Sequence, residues 1–225
     1  MANKEKIISY LKDIKSGKLK LDIDFFNESG QKIGKLLPIV DSEIRDNSEI
    51  VKLMTKWRRD YKDKFFTQFE VTEERTKNWL DNQIIKRDNR IFFVIETSDK
   101  KLIGHIGVIF FEEGDSICEL DNFVKDRDCQ IPGIMTYATK ALINFLFNSL
   151  KMKKLKLRVF SDNLRAQELY FRCGFSKVKE IGFKKEVTDD GIKYVEIRES
   201  DNQVPNRTMY LFELENNPPY LKVRR

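Results

Sequence analysis

One stretch narrows the possible folds more than any other: LRVFSDNLRAQELYFRCGF, residues 157–175. Leu155, Leu157 and Val159 alternate with Lys156 and Arg158, the period of a half-buried strand. The strand runs without a linker into Ser161, Asp162 and Asn163, whose side chains suit a helix N-cap. Ala166, Leu169, Tyr170 and Cys173 then recur at i, i+3, i+4 and i+7, an apolar stripe that needs a sheet to lie on. Gly174 suits the left-handed residue after a helix, with Phe175 folding back toward Tyr170 in a Schellman ending. So abrupt a passage from strand to short helix holds Tyr170 firmly near a strand end.

Elements of the same grain precede and follow it. Residues 118–124 read as a strand, and Pro132-Gly133 opens a helix to about residue 150. In that helix Lys140, Asn144, Asn148 and Lys151 form a narrow polar stripe, so it is buried on most sides. Together with 157–175 this makes a β–α–β–α–β unit. Residues 91–96 and 102–111 are apolar strands joined by Ser98-Asp99-Lys100-Lys101. Residues 36–40 read as a first strand and Asp41 or Ser42 opens a helical region to about residue 59. Thr72 is a helix N-cap with Arg75 at N3, and Glu73 and Glu74 suit the positive helix end. Strands are expected at 175–183, 193–197 and 207–214. The fold class is mixed α/β (α+β) with a mostly antiparallel sheet. Residues 1–34 read as an N-terminal extension with a helix at 4–14, 35–215 as one domain, and 216–225 as a loosely ordered tail.

Charge and cysteines narrow the class of partner. The net charge of +6 is diffuse, its clusters at 151–156 and 177–185 broken by apolar strand positions. Nucleic acid is therefore not expected, although a small anionic ligand would be served. No run of 18 apolar residues exists, and the N-terminus lacks the apolar region of a signal peptide. Cys118, Cys129 and Cys173 lack metal-ligand spacing, and there is a single His. That pattern suits reduced thiols in a cytoplasm, no metal, no membrane, and a monomer or homodimer.

Three short signatures resemble the GNAT superfamily of acyl-CoA-dependent N-acyltransferases. Asn163, Ala166, Leu169-Tyr170 and Gly174-Phe175 are similar to its N-x-x-A-x-x-L-Y-x-x-x-G-F pattern. Gln130-Ile131-Pro132-Gly133-Ile134-Met135 resembles its pyrophosphate loop, Q/R-x-x-G-x-G/A, at Gln130 and Gly133. It departs at Met135, which is not small, and at Pro132, which has no N–H. IGHIGV at 103–108 is similar to the family's third strand. The resemblance covers residues 35–215. It implies a sheet splayed between its fourth and fifth strands, here 118–124 and 155–160, with helices on both faces. It also implies acetyl-CoA as cosubstrate, met by Phe123, Val124, Gln130, Gly133, Ile134, Met135, Asn163, Ala166 and Tyr170. Asn163 would contact the pantetheine, and Tyr170 would act as general acid toward the sulfur.

Each side chain also has a plainer use. Tyr170 could simply pack. His105, between Gly104 and Gly107, could be a hydrogen-bonded core residue, a substrate ligand or a base. Glu119 and Asp121 share one face of their strand, with Asn122 on the other unless a bulge intervenes. Asp121 is the candidate base or amine anchor, and Glu119 and Asn122 are candidate substrate ligands. Trp57, Trp79, Phe65, Phe66 and Phe69 read as core, with 61–69 as an alternative lining of the acceptor pocket. The Asp121-Asn122 pair resembles family members acting on nucleotide-linked amino sugars. The expected reaction is therefore acetyl transfer from acetyl-CoA to such an amine, with Arg58 or Arg59 placed to meet a diphosphate. The alternatives are a protein N-terminal or lysine acetyltransferase, or a non-catalytic acyl-CoA-binding module.

Overall fold

The computed structural model describes residues 4–46, 48–110, 114, 116–198, 201 and 203–216. Its strands are β1 Ile23–Phe26, β2 Lys32–Pro38, β3 Thr67–Phe69, β4 Arg90–Thr97, β5 Leu102–Phe110, β6 Ile117–Lys125, β7 Lys154–Phe160, β8 Ser176–Thr188, β9 Gly191–Glu196 and β10 Arg207–Glu215. They form one sheet in the order β1-β2-β4-β5-β6-β7-β10-β8-β9-β3. Every neighbouring pair is antiparallel except β6 and β7, which run parallel. The helices are α1 Lys4–Lys15, α2 Asp41–Asp46, α3 Ser48–Asp60, α4 Glu73–Leu80, α5 Ile134–Asn148 and α6 Leu164–Arg172. A π-helical turn, Asp81–Ile85, continues α4. Among the described residues, no helix is long and apolar enough to cross a membrane.

Helices cover both faces, and the strands show why the sequence is so apolar there. In β4, Ile91, Phe93 and Ile95 join the core beneath α1, α5 and α6. Phe92 and Val94 between them join a second core with Met54 and Trp57 of α3 and Leu80 and Ile84 beyond. A strand buried on both sides needs an unbroken apolar run. Thr72 caps α4 by accepting from the Arg75 N–H at 3.2 Å, as its position predicts.

Residues 4–34 pack onto this body. Ile7, Leu11 and Ile14 of α1 lie in the larger core. Lys15 is buried and donates from Nζ to the carbonyls of Ile84 and Arg87. The first strand is not residues 36–40 but β1, paired with β2. Polar Asp22, Asp24, Lys32 and Lys35, which pair across this hairpin, mask its strand period in the sequence. β3 was also unforeseen, because only its pairing with β9 makes three residues a strand. The expected tail beyond Asn216, and the end of the strand expected to reach Phe111, lie outside the described residues.

Candidate active site

β6 is a strand with two unlike edges. Toward β5 it stays paired from Cys118 opposite Phe110 to Lys125 opposite Gly104. Toward β7 it pairs only at Ile117, Cys118 and Glu119, after which the two strands part. The parting leaves the C-terminal half of β6 with backbone donors and acceptors facing a gap, where an extended amide-bearing ligand can complete the sheet. A cavity of about 980 Å³ opens there.

A bulge aims β6 into it. His105 faces Val124 and Gly107 faces Asp121, so Asn122 and Phe123 share one partner position, and Asn122 takes φ +50°. Both Asp121 and Asn122 consequently line the cavity, which strict alternation would forbid. Gly107 makes the crossing possible: a Cβ there would lie 2.1 Å from Asp121 Oδ1 and 2.3 Å from the Phe92 ring.

The donor side combines two helix starts with the strand gap. Gly133 is the N-cap of α5 at φ +68°, and its carbonyl accepts from Thr136 and Tyr137 N–H at 2.8 and 3.1 Å. The first N–H groups of such a helix have no intrahelical partner and carry positive potential, the setting for a pyrophosphate. Gln130, Ile134 and Met135 line the same end of the cavity, and Pro132 there offers no N–H. Asn163 caps α6, its Oδ1 accepting from Ala166 N–H at 3.4 Å. The helix closes as its sequence predicts, with Phe175 N–H on Tyr170 O, Gly174 N–H on Phe171 O, and Gly174 at φ +93°.

Tyr170 is 4% exposed and lines the cavity. Phe123, Phe212 and Phe175 meet its ring edge-on at 5.1, 5.9 and 6.3 Å. Burial first, then the charges of Cys173 and Asp121, push its phenol well above the usual range. It therefore stays protonated, a hydrogen-bond donor at the cavity and not a base.

Opposite lies a wall of matched charges. Asp121 is ion-paired to Arg90 of β4 and accepts from Asn122 Nδ2 at 2.6 Å. Glu119 is gripped by Arg158 of β7, at 2.9 Å from Nε and 3.2 Å from Nη2. His105 is 4% exposed, with Trp57 and Phe92 rings at 5.8 and 5.5 Å. Burial, against a hydrogen bond with the Asn122 backbone, lowers it to about 3. Neutral imidazole in such a place suits a hydrogen-bond partner better than a proton acceptor. Phe65, Phe66 and Phe69 complete the wall, so 61–69 lines the pocket as well as filling core.

The catalytic, cofactor and acceptor candidates from the sequence, Arg59 excepted, border this one cavity: Tyr170, Asp121, His105, Glu119, Asn122, Phe123, Val124, Gln130, Gly133, Ile134, Met135, Asn163 and Ala166. Of the two candidate arginines, Arg58 lines it, while Arg59 turns away to donate to Val71 O at 2.9 Å. Arg90 and the pairing role of Arg158 escaped the sequence reading. Their only signal was an arginine at a strand start and another among alternating polar positions.

The family described as the acetyltransferase (GNAT) domain matches residues 41–176. The Bacillus subtilis (strain 168) protein named "Probable N-acetyltransferase YjcK" is 24% identical over 150 residues, which are 64% of this chain and 82% of that protein. The spermidine N-acetyltransferase from Vibrio cholerae, in complex with CoA and spermine, superposes with a TM-score of 0.59 at 16% identity. That match covers 80% of this chain and 94% of the other. A second structure from Vibrio cholerae, a spermidine/spermine N-acetyltransferase with manganese ions, gives 0.55 at 15% identity over 81% and 92% of the two chains. At such identities the structural likeness establishes the fold, and the family match covers more than half the sequence. The chain belongs to the GNAT acetyltransferase family and is an acyl-CoA-dependent N-acyltransferase.

Proposed function

We propose that the enzyme transfers an acetyl group from acetyl-CoA to a small primary amine carried on an anionic molecule, specifically the amino sugar of a nucleotide-linked sugar. The observation that supports this acceptor is the charge balance of the wall facing Tyr170. Its carboxylates, Asp121 and Glu119, are already answered by Arg90 and Arg158. Spermine, present in the Vibrio cholerae complex, is a chain of ammonium groups and would need carboxylates whose charge is not so offset. A cleft that matches each carboxylate with an arginine suits an acceptor with one amine and negative charge elsewhere.

In this reading the sheet gap, the start of α5 and Asn163 hold the CoA arm, and Asp121 orients the incoming amine. The amine must lose its proton before attacking the thioester carbonyl. As the carbon–nitrogen bond forms and the carbon–sulfur bond breaks, Tyr170 gives its proton to the sulfur, and the proton shed by the nitrogen on becoming an amide returns to the phenolate. Neutral His105 offers a hydrogen bond to a sugar hydroxyl. The test compares kcat/KM for a nucleotide-linked amino sugar, the same sugar without its nucleotide, spermine and N-terminal peptides. The nucleotide-linked sugar should lead. A win for peptides transfers the assignment to protein acetylation, and a win for spermine removes the charge argument.

A further inference from the structure

We propose that Arg58 is the receptor for the acceptor's anionic group, so that the enzyme selects amines bearing a phosphate or carboxylate. The proposal rests on amine acetylation in this cleft and not on the nucleotide as such.

The other arginines that shape this wall are committed. Arg75 pairs with Asp190 at 3.0 Å, Arg158 with Glu119 at 2.9 Å, and Arg90 with Asp121. Arg58 lies in the last turn of α3, where the helix dipole favours a cation. That favour is equally met by Arg59, which points outward. Arg58 instead turns into the cavity and has no carboxylate partner among the described residues. Its guanidinium lies 3.5 Å from the centroid of Phe65 and 5.3 Å from that of Phe69. Nη2 donates to Thr67 O at 2.8 Å and to Thr67 Oγ1 at 3.2 Å. Of five N–H donors, the one on Nε and the two on Nη1 are therefore left for a ligand.

This is a held cation, not a loose one. The aromatic shelf and Thr67 fix its plane, so an arriving oxyanion meets donors already in place. Withdrawal from water lowers its hold on its proton to about 10, and its charge is felt at His105 on the cavity floor. It remains charged at neutral pH. A cation so desolvated, with no counter-ion among the described residues, costs the fold stability that a bound anion returns.

The test pairs acceptors that differ only in charge: an amino sugar with and without a phosphate, and an α-amino acid beside its amide. For Arg58→Gln, the ratio of kcat/KM for the anionic acceptor to that for its neutral partner should fall about ten- to a hundredfold, the range of one charged hydrogen-bond set. Arg58→Lys should recover part of the ratio. Acetyl-CoA KM should hold, and the thermal midpoint should stay level or rise as an uncompensated charge is removed. Equal losses on charged and neutral acceptors, a raised acetyl-CoA KM, or a lowered midpoint with both acceptors lost would overturn the proposal. Which anion dominates separates phosphate from carboxylate. If the nucleotide-linked sugar is inert while another anionic amine depends on Arg58, this inference stands and the nucleotide assignment falls. If the nucleotide-linked sugar is acetylated equally well by Arg58→Gln, the outcome is reversed.

Discussion

Backbone builds one side of the cleft and side chains build the other. On the donor side the features that matter are a gap between β6 and β7, a left-handed Gly133 starting α5, and a capped short helix, α6. Nearly all of it comes from residues 117–175, one stretch of chain. On the acceptor side, β3, the end of α3, the start of α4 and the β8–β9 hairpin meet from distant parts of the sequence. Its character lies in charged and aromatic tips: Arg90 on Asp121, Arg158 on Glu119, Arg58 on Phe65. A ligand common to a family can be held by main-chain groups that tolerate many sequences. A particular acceptor has to be read by side chains, which do not.

The largest effect should come from Tyr170, the side chain at the chemical step on the donor side. Tyr170→Phe keeps the ring against Phe123 and Phe212 and removes the proton donor, so kcat should fall about 10²–10⁴-fold with acetyl-CoA KM nearly unchanged. A loss under about threefold would make Tyr170 a packing residue.

Breaking the acceptor side should spare the donor side. Gly191 sits at φ +138°, and a Cβ there would lie 2.1 Å from Gln68 O. Gly191→Ala should pull β9 away from β3 and raise acceptor KM roughly tenfold or more by misplacing the lining. Calorimetric affinity for CoA should stay at the parent value; a parallel loss would mean that the two sides are one mechanical unit.

A third measurement follows His105 by pH. Its folded value of about 3 lies below the ordinary 6.5, because burial disfavours the charged ring. A depressed value gives stability that is complete above 6.5 and is lost as pH falls toward 3, since the unfolded chain takes up the proton first. Thermal midpoints should therefore decline through that window. His105→Gln should flatten the decline, and an unchanged slope would show that other groups set it.

The smallest effect returns to the donor side. Asn163→Ala removes a cap that is already long at 3.4 Å, which should cost about 0.5–1 kcal/mol in urea unfolding. Acetyl-CoA KM should rise severalfold while acceptor KM holds. If only stability changes, Asn163 serves the helix and not the pantetheine.

Legibility followed the same division. The turn from β7 into α6, the glycine ending, the Thr72 cap and the Gly133 start were all readable, because each depends on residues within about one helical turn of each other. That α1 packs into the main core is not legible locally, because Ile7, Leu11 and Ile14 find their partners far along the chain, in the core beneath β4. Arg58 and Arg59 were indistinguishable in sequence; which of them enters the cavity depends on Phe65, Phe69 and Thr67, which the fold brings alongside.

The sequence by itself determined the local geometry around residues 154–175: how the strand passes into a short helix, how that helix is capped, and where Gly174 allows a positive φ. These rest on sterics and on short hydrogen bonds that close within a few residues. Only the tertiary structure decided that Asp121 and Asn122 both face the cavity, that both acidic groups are answered by arginines, and that Arg58 is left with donors to offer. Charge pairing and burial depend on which distant groups share a low-dielectric space, and no local pattern encodes that.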